Sequence, residues 1–295
     1  MAKIGFIGLG NMGLPMAQNL VKAGHAVAGC DLSEYPVDRL AADGGTPARS
    51  IADACRDAEI VITMLPAGPE VREAYLGRDG VLAAVQRDTL LVDSSTIDVK
   101  TAREVARAAE EQGLAMIDAP VSGGVSGALA ASLTFMVGGS PEAFERARPV
   151  LEKMGKTIVH AGGAGNGQAA KICNNMILGA SMIVVCEAFL LAEKLGLDAQ
   201  RLFDISSKSS GQCWSMTSYC PVPGPVPTSP ANRDYQAGFT AAMMLKDLKL
   251  AQSAARATRA TTPLGAGAAA VYERFVESDD GSVDFSGIIR YLRGP

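Results

Sequence analysis

Over the first 160 positions, short blocks of consecutive apolar residues alternate with longer stretches whose apolar residues recur every three or four positions. The blocks, at residues 3–7, 26–30, 60–64, 90–93, 115–117, 133–137 and 157–159, predict strands. Most are apolar without a break, the pattern of a parallel strand buried on both faces. The stretches between them predict helices from 13 to about 23, at 35–43, from 51 to about 56 with Ser50 as cap, and at 69–75, 98–112 and 141–154. Strand and helix in alternation predict an α/β domain of Rossmann type, a doubly wound parallel sheet with helices on both faces.

The pattern changes near residue 162, where Gly162-Gly163-Ala164-Gly165-Asn166-Gly167 forms a flexible hinge. No strand is expected beyond it. Residues 168 to about 195 predict one long helix that is apolar over most of its surface and therefore expected to be buried nearly all round. It would be the spine of a second, all-helical domain and part of a subunit interface. Gly196 ends it, and Asp198 caps a helix to about 207. A proline-rich ordered loop with Trp214 and two tyrosines fills 211–239, and helices follow at 241–257, 263–277 and 286–292. The expected domains are 1–163, the doubly wound sheet, and 164–295, all-helical and expected to take part in oligomerisation.

Residues 3–31 are the most informative stretch. The first strand runs into Gly8-Leu9-Gly10-Asn11-Met12-Gly13, a helix follows, and a second strand ends on Asp31. Glycine makes up 32 of 295 residues, so the spacing alone says little and the flanking elements carry the reading. Gly8 lets the chain turn out of the strand, Gly10 lets a pyrophosphate approach the backbone, and Gly13 lets the helix pack closely on the sheet. The amides of the helix start face the phosphates. The Asp31 carboxylate accepts from the ribose hydroxyls and repels a 2′-phosphate, which predicts NAD rather than NADP. In such sheets ligands lie beyond the carboxyl ends of the strands, so Leu65-Pro66, Ser94-Ser95-Thr96 and Ser122-Gly123-Gly124 should line one crevice with the glycine loop.

Composition narrows the classes. A formal net charge of −4 without a basic run argues against a nucleic-acid partner. The apolar run 176–186 reads as too short to span a bilayer, so no membrane partner is expected. Six cysteines show no CxxC pair and no metal spacing, and read as reduced thiols of a cytoplasmic protein, with a Cys213–Cys220 bridge left open. No metal site is expected.

Only two histidines are present, His25 in a turn and His160 at a strand end, and both read as structural. Lys171 is the alternative acid/base group. It lies in the first turns of the apolar helix, where burial would lower its pKa toward neutrality. Asn175 follows at i+4 on the same face. On spacing alone, a lysine whose stem lies along the helix start fits equally well. Asp118-Ala119-Pro120-Val121-Ser122-Gly123-Gly124 is a second glycine turn whose amides and serine hydroxyl could hold a small carboxylate, although composition alone favours a plain loop. Lys246-Asp247 reads by itself as a solvated charge pair.

Together these stretches resemble the β-hydroxyacid dehydrogenase family from end to end. Residues 5–17 are similar to its cofactor signature, and Asp118 to Gly124, continuing through Gly127-Ala128 to Met136-Val137-Gly138-Gly139, to its substrate signature. Gly165-Asn166-Gly167 to Lys171 and Asn175 is similar to its catalytic signature, and Lys246-Asp247-Leu248 to its C-terminal element. Ala131 departs from the glycine often found before the next strand. The loop from Ser209 through Trp214 and Pro223 to Phe239 is similar to that of 3-hydroxyisobutyrate dehydrogenases.

The resemblance implies NAD-dependent oxidation of (S)-3-hydroxyisobutyrate to methylmalonate semialdehyde in valine catabolism. Lys171 and Asn175 would be catalytic, and the substrate would meet Ser122, Gly123, Gly124, Lys171, Asn175, Trp214, Phe239 and Asp247. The cofactor would meet Gly8, Gly10, Asn11, Met12, Gly13, Asp31, Leu65, Pro66, Thr96 and Lys246. The protein would be a homodimer or homotetramer. The alternatives are a relative acting on serine, 3-hydroxypropionate or tartronate semialdehyde, and a non-catalytic nucleotide sensor on the same fold.

Overall fold

The structure, a computed structural model, describes residues 1–278 and 281–294. It divides into two compact units, Met1–Lys171 and Ile172–Pro295.

In the first unit the elements run β1 (Lys3–Ile7), α1 (Gly13–Lys22), β2 (Ala26–Cys30), α2 (Glu34–Ala42), β3 (Thr46–Pro47), α3 (Ile51–Cys55) and β4 (Ile60–Thr63). After these come α4 (Gly68–Leu76), α5 (Val81–Ala84), β5 (Leu90–Asp93), α6 (Val99–Glu111), β6 (Ala115–Asp118) and β7 (Val121–Ser122). The unit closes with α7 (Gly124–Leu129), β8 (Leu133–Gly138), α8 (Pro141–Leu151), β9 (Gly155–Gly162) and the start of α9 (Asn166–Lys194). Ser50, Asp98 and Ser140 cap α3, α6 and α8 by accepting from the N–H three residues on, the bond that satisfies a donor the helix leaves unpaired.

The sheet order is β3-β2-β1-β4-β5-β6-β8-β7, with β9 on the other edge of β8. From β3 to β6 all pairs are parallel, and β4 and β5 are buried at every position. Separate cores cover the two faces, one built on Phe6, Leu20, Ile62 and Val92 and the other on Val61, Tyr75, Leu91 and Val105.

The all-parallel expectation fails at the far edge. Strand β8 runs antiparallel to β6 and β7, and Asp118↔Gly138, Val121↔Phe135 and Ser122↔Thr134 share one register. The segment 118–122 is thus one extended stretch interrupted at Pro120, which has no N–H to give to the ladder. The six-residue α7 is too short a connection for a parallel crossover, so the chain turns back.

The second unit is helical: the remainder of α9, then α10 (Ala199–Ser206), α11 (Trp214–Thr217), α12 (Ala241–Thr258), α13 (Pro263–Ser278) and α14 (Ile288–Arg293), with 3₁₀ turns at Pro230–Arg233 and Phe285–Gly287. Its core joins Met182, Cys186 and Phe189 of α9 to Met244 and Leu248 of α12 and Tyr272 and Phe275 of α13. A Cβ on Gly179 would lie 3.0 Å from Leu248 Cδ2, so this glycine brings α9 close to α12. The loop 211–239 is tied internally, Tyr235 Oη donating to Pro221 O at 2.7 Å and Ser229 Oγ to Cys220 O at 2.5 Å.

Helix α9 is not buried all round. Ile177, Val184 and Leu191, seven residues apart on one stripe, are 67%, 62% and 61% exposed. The helix also continues apolar beyond Cys186, so its 29 residues are long and apolar enough to cross a membrane, contrary to the shorter run read from sequence. Its opposite face supplies the core of the second unit. All six cysteines are free, Cys213 and Cys220 included.

Candidate active site

The carboxyl ends of β1, β2, β4 and β5 carry the loops singled out by sequence. Gly8 has φ +91°, and a Cβ there would lie 2.3 Å from Met64 O, so the turn needs a residue without one. A Cβ on Gly13 would fall 1.9 Å from Gly8 O, whereas one on Gly10 meets nothing within 4 Å. The loop is therefore closed by its outer glycines, and its middle one faces open space. Helix α1 has no side-chain cap and no acid in its first turn, so no carboxylate of its own competes with an anion at the positive end of the helix. Asn11 is exposed and Met12 half-buried beside them.

Asp31 follows β2. Its Oδ2 accepts from Leu9 N–H at 2.6 Å and its Oδ1 from Ser33 N–H at 2.9 Å. Two amides thus fix the carboxylate against the glycine loop, and each oxygen keeps a further lone pair. An uncapped helix start, an open Gly10 and an oriented carboxylate fit a dinucleotide.

The loops after β4 and β5 are bonded together, with Leu65 N–H donating to Ser95 Oγ at 2.8 Å. Pro66 is exposed and Thr96 half-buried next to this link. Beneath it lies a buried polar chain in which Tyr75 Oη and Thr63 Oγ1 are 3.1 Å apart, Thr63 Oγ1 donates to Asp93 Oδ1 at 2.8 Å, and Ser95 N–H donates to the same oxygen at 3.1 Å. Burial pushes the Asp93 carboxyl up to about 6, against the hydrogen bonds from Ser95 and Thr63. The folded state therefore holds this proton more tightly than the unfolded chain does. Wild type should gain stability relative to Asp93→Asn as pH falls from 8 toward 4, by up to about 3 kcal/mol. Urea unfolding of both proteins at the two pH values checks this, and a constant difference would contradict it.

Ser122 closes β7, and Gly123 and Gly124, with φ of +134° and +62°, turn the backbone into α7. Lys171 lies in the second turn of α9 and is buried, with 6% exposure. The start of that helix is bound to the sheet, Gly165 N–H and Gln168 N–H donating to the two oxygens of Asp118 at 2.7 and 2.8 Å. The glycine-turn pattern covers Asp118 without marking this role, and no motif marks Gln168. The available signal was an acid closing an apolar strand, in Ile117-Asp118 and in Val92-Asp93 alike.

Both histidines have structural partners. His25 Nδ1 accepts from Ala2 N–H at 3.2 Å, while His160 Nε2 lies 2.9 Å from Gly139 O and its ring stacks on Phe144. Among the described residues no group of three or more His, Cys, Asp or Glu could hold a metal ion.

Within the second unit, Asn175 Nδ2 donates to Asp247 Oδ2 at 2.5 Å, and Asn175 Oδ1 accepts from Asn174. Asp247 is buried, so Lys246-Asp247 is not a solvated pair on an outer face. Trp214, 51% exposed, stacks on Tyr219, which stacks on Phe285, against which Phe239 sits edge-on. Trp214 and Phe239 are thus the ends of one aromatic run and do not touch through a shared stack. Asp284 anchors the run, its Oδ2 accepting from Tyr219 Oη at 2.8 Å and from Gly238 and Phe239 N–H at 3.0 and 3.2 Å.

Residues 3–163 match the family model described as the NAD binding domain of 6-phosphogluconate dehydrogenase. Residues 165–292 match that described as NAD-binding of NADP-dependent 3-hydroxyisobutyrate dehydrogenase. A Pseudomonas aeruginosa 3-hydroxyisobutyrate dehydrogenase is 50% identical, with 100% of this chain and 99% of that protein covered. The chain belongs to the β-hydroxyacid dehydrogenase family. An NAD-dependent L-serine dehydrogenase of the same organism is 49% identical over 100% of this chain and 99% of its own length. The solved Mycobacterium tuberculosis 3-hydroxyisobutyrate dehydrogenase with L-serine superimposes with a TM-score of 0.96 at 54% identity, covering 100% of both chains.

This protein is thus an NAD-binding oxidoreductase of that family. Asp31→Ala should weaken NAD binding and raise NADP turnover relative to NAD, because the carboxylate that would repel a 2′-phosphate is gone. Kinetics with both cofactors test this, and a wild-type preference for NADP would contradict the reading of Asp31.

Proposed function

We propose that this dehydrogenase oxidises (S)-3-hydroxyisobutyrate to methylmalonate semialdehyde, as a step of valine breakdown in the cytoplasm. The observation that carries the reading is the burial of Lys171 at the start of an apolar helix anchored to the sheet. Burial favours the neutral form of a lysine amine, the form that can take a proton from an alcohol. Likeness to the 3-hydroxyisobutyrate dehydrogenases supports the substrate class. The six free thiols support a reducing compartment.

In this reading the amides and hydroxyl of Ser122, Gly123 and Gly124 bind the substrate carboxylate. Lys171 hydrogen-bonds the 3-hydroxyl and takes its proton as the hydride leaves C3. In reduction the ammonium returns the proton to the forming alkoxide. Bound NAD supplies the hydride acceptor. The glycine loop of residues 8–13 and Asp31 hold that cofactor, and Leu65, Pro66 and Thr96 flank it. Asn175, fixed by Asp247, orients the reacting oxygen. Trp214 and Phe239 are assigned to the substrate methyl group and Lys246 to the cofactor.

L-Serine is the second reading, since it shares the hydroxymethyl and carboxylate groups and differs at C2, and an L-serine dehydrogenase is nearly as similar. NADH formation on (S)-3-hydroxyisobutyrate, L-serine and 3-hydroxypropionate, with tartronate semialdehyde assayed in the reducing direction, tests the choice. A higher kcat/KM on serine would replace the first reading with the second. No turnover on any of the four would place the substrate outside these short hydroxy acids.

We also assign the Ile177, Val184 and Leu191 stripe to contact with a second copy of the chain, since residues spaced seven apart on one helix face suit a helix-to-helix seam. The enzyme should therefore sediment as a dimer or tetramer. A species of 30.5 kDa at working concentration would contradict this.

A further inference from the structure

The start of α9 is bonded to the sheet through its backbone and through a side chain. Asp118, buried at the end of β6, gives one carboxylate oxygen to Gly165 N–H and the other to Gln168 N–H. The Gln168 side chain, also buried, continues to the neighbouring strand's exit, with Nε2 donating to Ser95 O at 2.7 Å and Oε1 accepting from Ile97 N–H at 3.1 Å. Space is as tight as the bonding. A Cβ on Gly138 would lie 2.4 Å from Asp118 Oδ1, and one on Gly167 would lie 2.4 Å from Met136 O. The first turn of α9 is therefore fastened to β6, to β8 and to the loop after β5.

We propose that Asp118, with Gln168, is the positioning residue for Lys171, setting the height and rotation of the amine by clamping the first turn of its helix. The proposal rests on the assignment of Lys171 as the proton-transfer group. Lys171 lies three residues beyond Gln168, so any shift or rotation of the first turn passes directly to its side chain. The first turn of α9 carries no acid of its own, and the carboxylate of Asp118 complements the positive end of the helix from outside it. Asp118 also stands four residues before Ser122 on the single extended segment shared by β6 and β7. One backbone stretch thus carries both the loop assigned to the substrate carboxylate and the anchor of the amine. The distance between those two groups is then set by the sheet, not by a flexible linker.

Asparagine cannot replace the clamp. Both carboxylate oxygens accept from backbone N–H groups, so either orientation of an amide would set its NH₂ against a donor. Misplacement by about 1 Å costs a reacting geometry up to ~10²-fold. The full-length Asp118→Asn enzyme should lose kcat by about 10- to 100-fold, with NADH affinity within about twofold of wild type. Gln168→Ala should move kcat in the same direction, and carries the test if Asp118→Asn does not fold. The decisive readout is single-turnover oxidation by Asp118→Asn, Lys171→Ala and the double variant. If Asp118 acts through Lys171, the double variant is no slower than Lys171→Ala alone. An additional loss of the same factor in the double variant, or a fall in NADH affinity matching the fall in kcat, overturns the proposal while the Lys171 assignment stands. Full turnover in Lys171→Ala overturns both.

Discussion

Lys171→Ala should lose turnover by about 10²- to 10⁴-fold, the range a positioned proton-transfer group supplies, with NADH affinity close to wild type. The expectation follows from what else the chain offers. Both histidines are engaged structurally, His25 with the amide of Ala2 and His160 with the carbonyl of Gly139 and the ring of Phe144. Asp93 is closed off beneath the loops, and Asp118 is committed to two backbone amides. Lys171 is a buried lysine, and an amine can both take a proton from an alcohol and return it. Lys171→Arg separates charge from proton transfer, because a guanidinium keeps the cation and does not give up its proton near neutral pH. It should remain as slow as Lys171→Ala. Rapid turnover in either variant would remove Lys171 from the chemistry.

The second large effect is a contrast between two glycines three residues apart. Gly13→Ala should destabilise the first unit by about 3 kcal/mol or more, since its Cβ would lie 1.9 Å from Gly8 O and neither backbone can give way without opening the strand-helix junction. Gly10→Ala should melt like wild type, because its Cβ meets nothing in the protein within 4 Å. Its cost should appear only with cofactor, as binding weakened about tenfold or more where the pyrophosphate must approach the backbone. Thermal melts with and without NADH separate the two. Equal melting temperatures, or a Gly10→Ala enzyme that binds NADH normally, would contradict this account.

The first unit was legible wherever pattern and local chemistry agreed. Residues 3–7, 26–30 and 90–93 read directly as strands, because the interior of a parallel sheet demands unbroken apolar runs. Ser50 and Asp198 were recognisable as caps for the same local reason. The reversal at β8 was hidden, since strand direction depends on the length of the connection and not on side-chain pattern. The exposed stripe of α9 was hidden as well, because composition counts apolar residues without saying which of them face solvent. The glycine loop, Asp31 and Lys171 could be singled out from motifs. The Asp118–Gln168 clamp could not, since its partners lie 47 to 73 residues apart and are mostly backbone atoms that no motif records.

The composition of α9 has a further consequence while the protein is being made. Its packing partners Met244 and Leu248 lie on α12, which ends about 60 residues after α9 does. At a ribosomal rate of ~5–20 residues per second, this bilayer-like segment waits roughly 3 to 12 s before its own core can cover it. Through that interval the apolar surface of α9 is uncovered, which is the condition under which an unfinished chain is prone to aggregate.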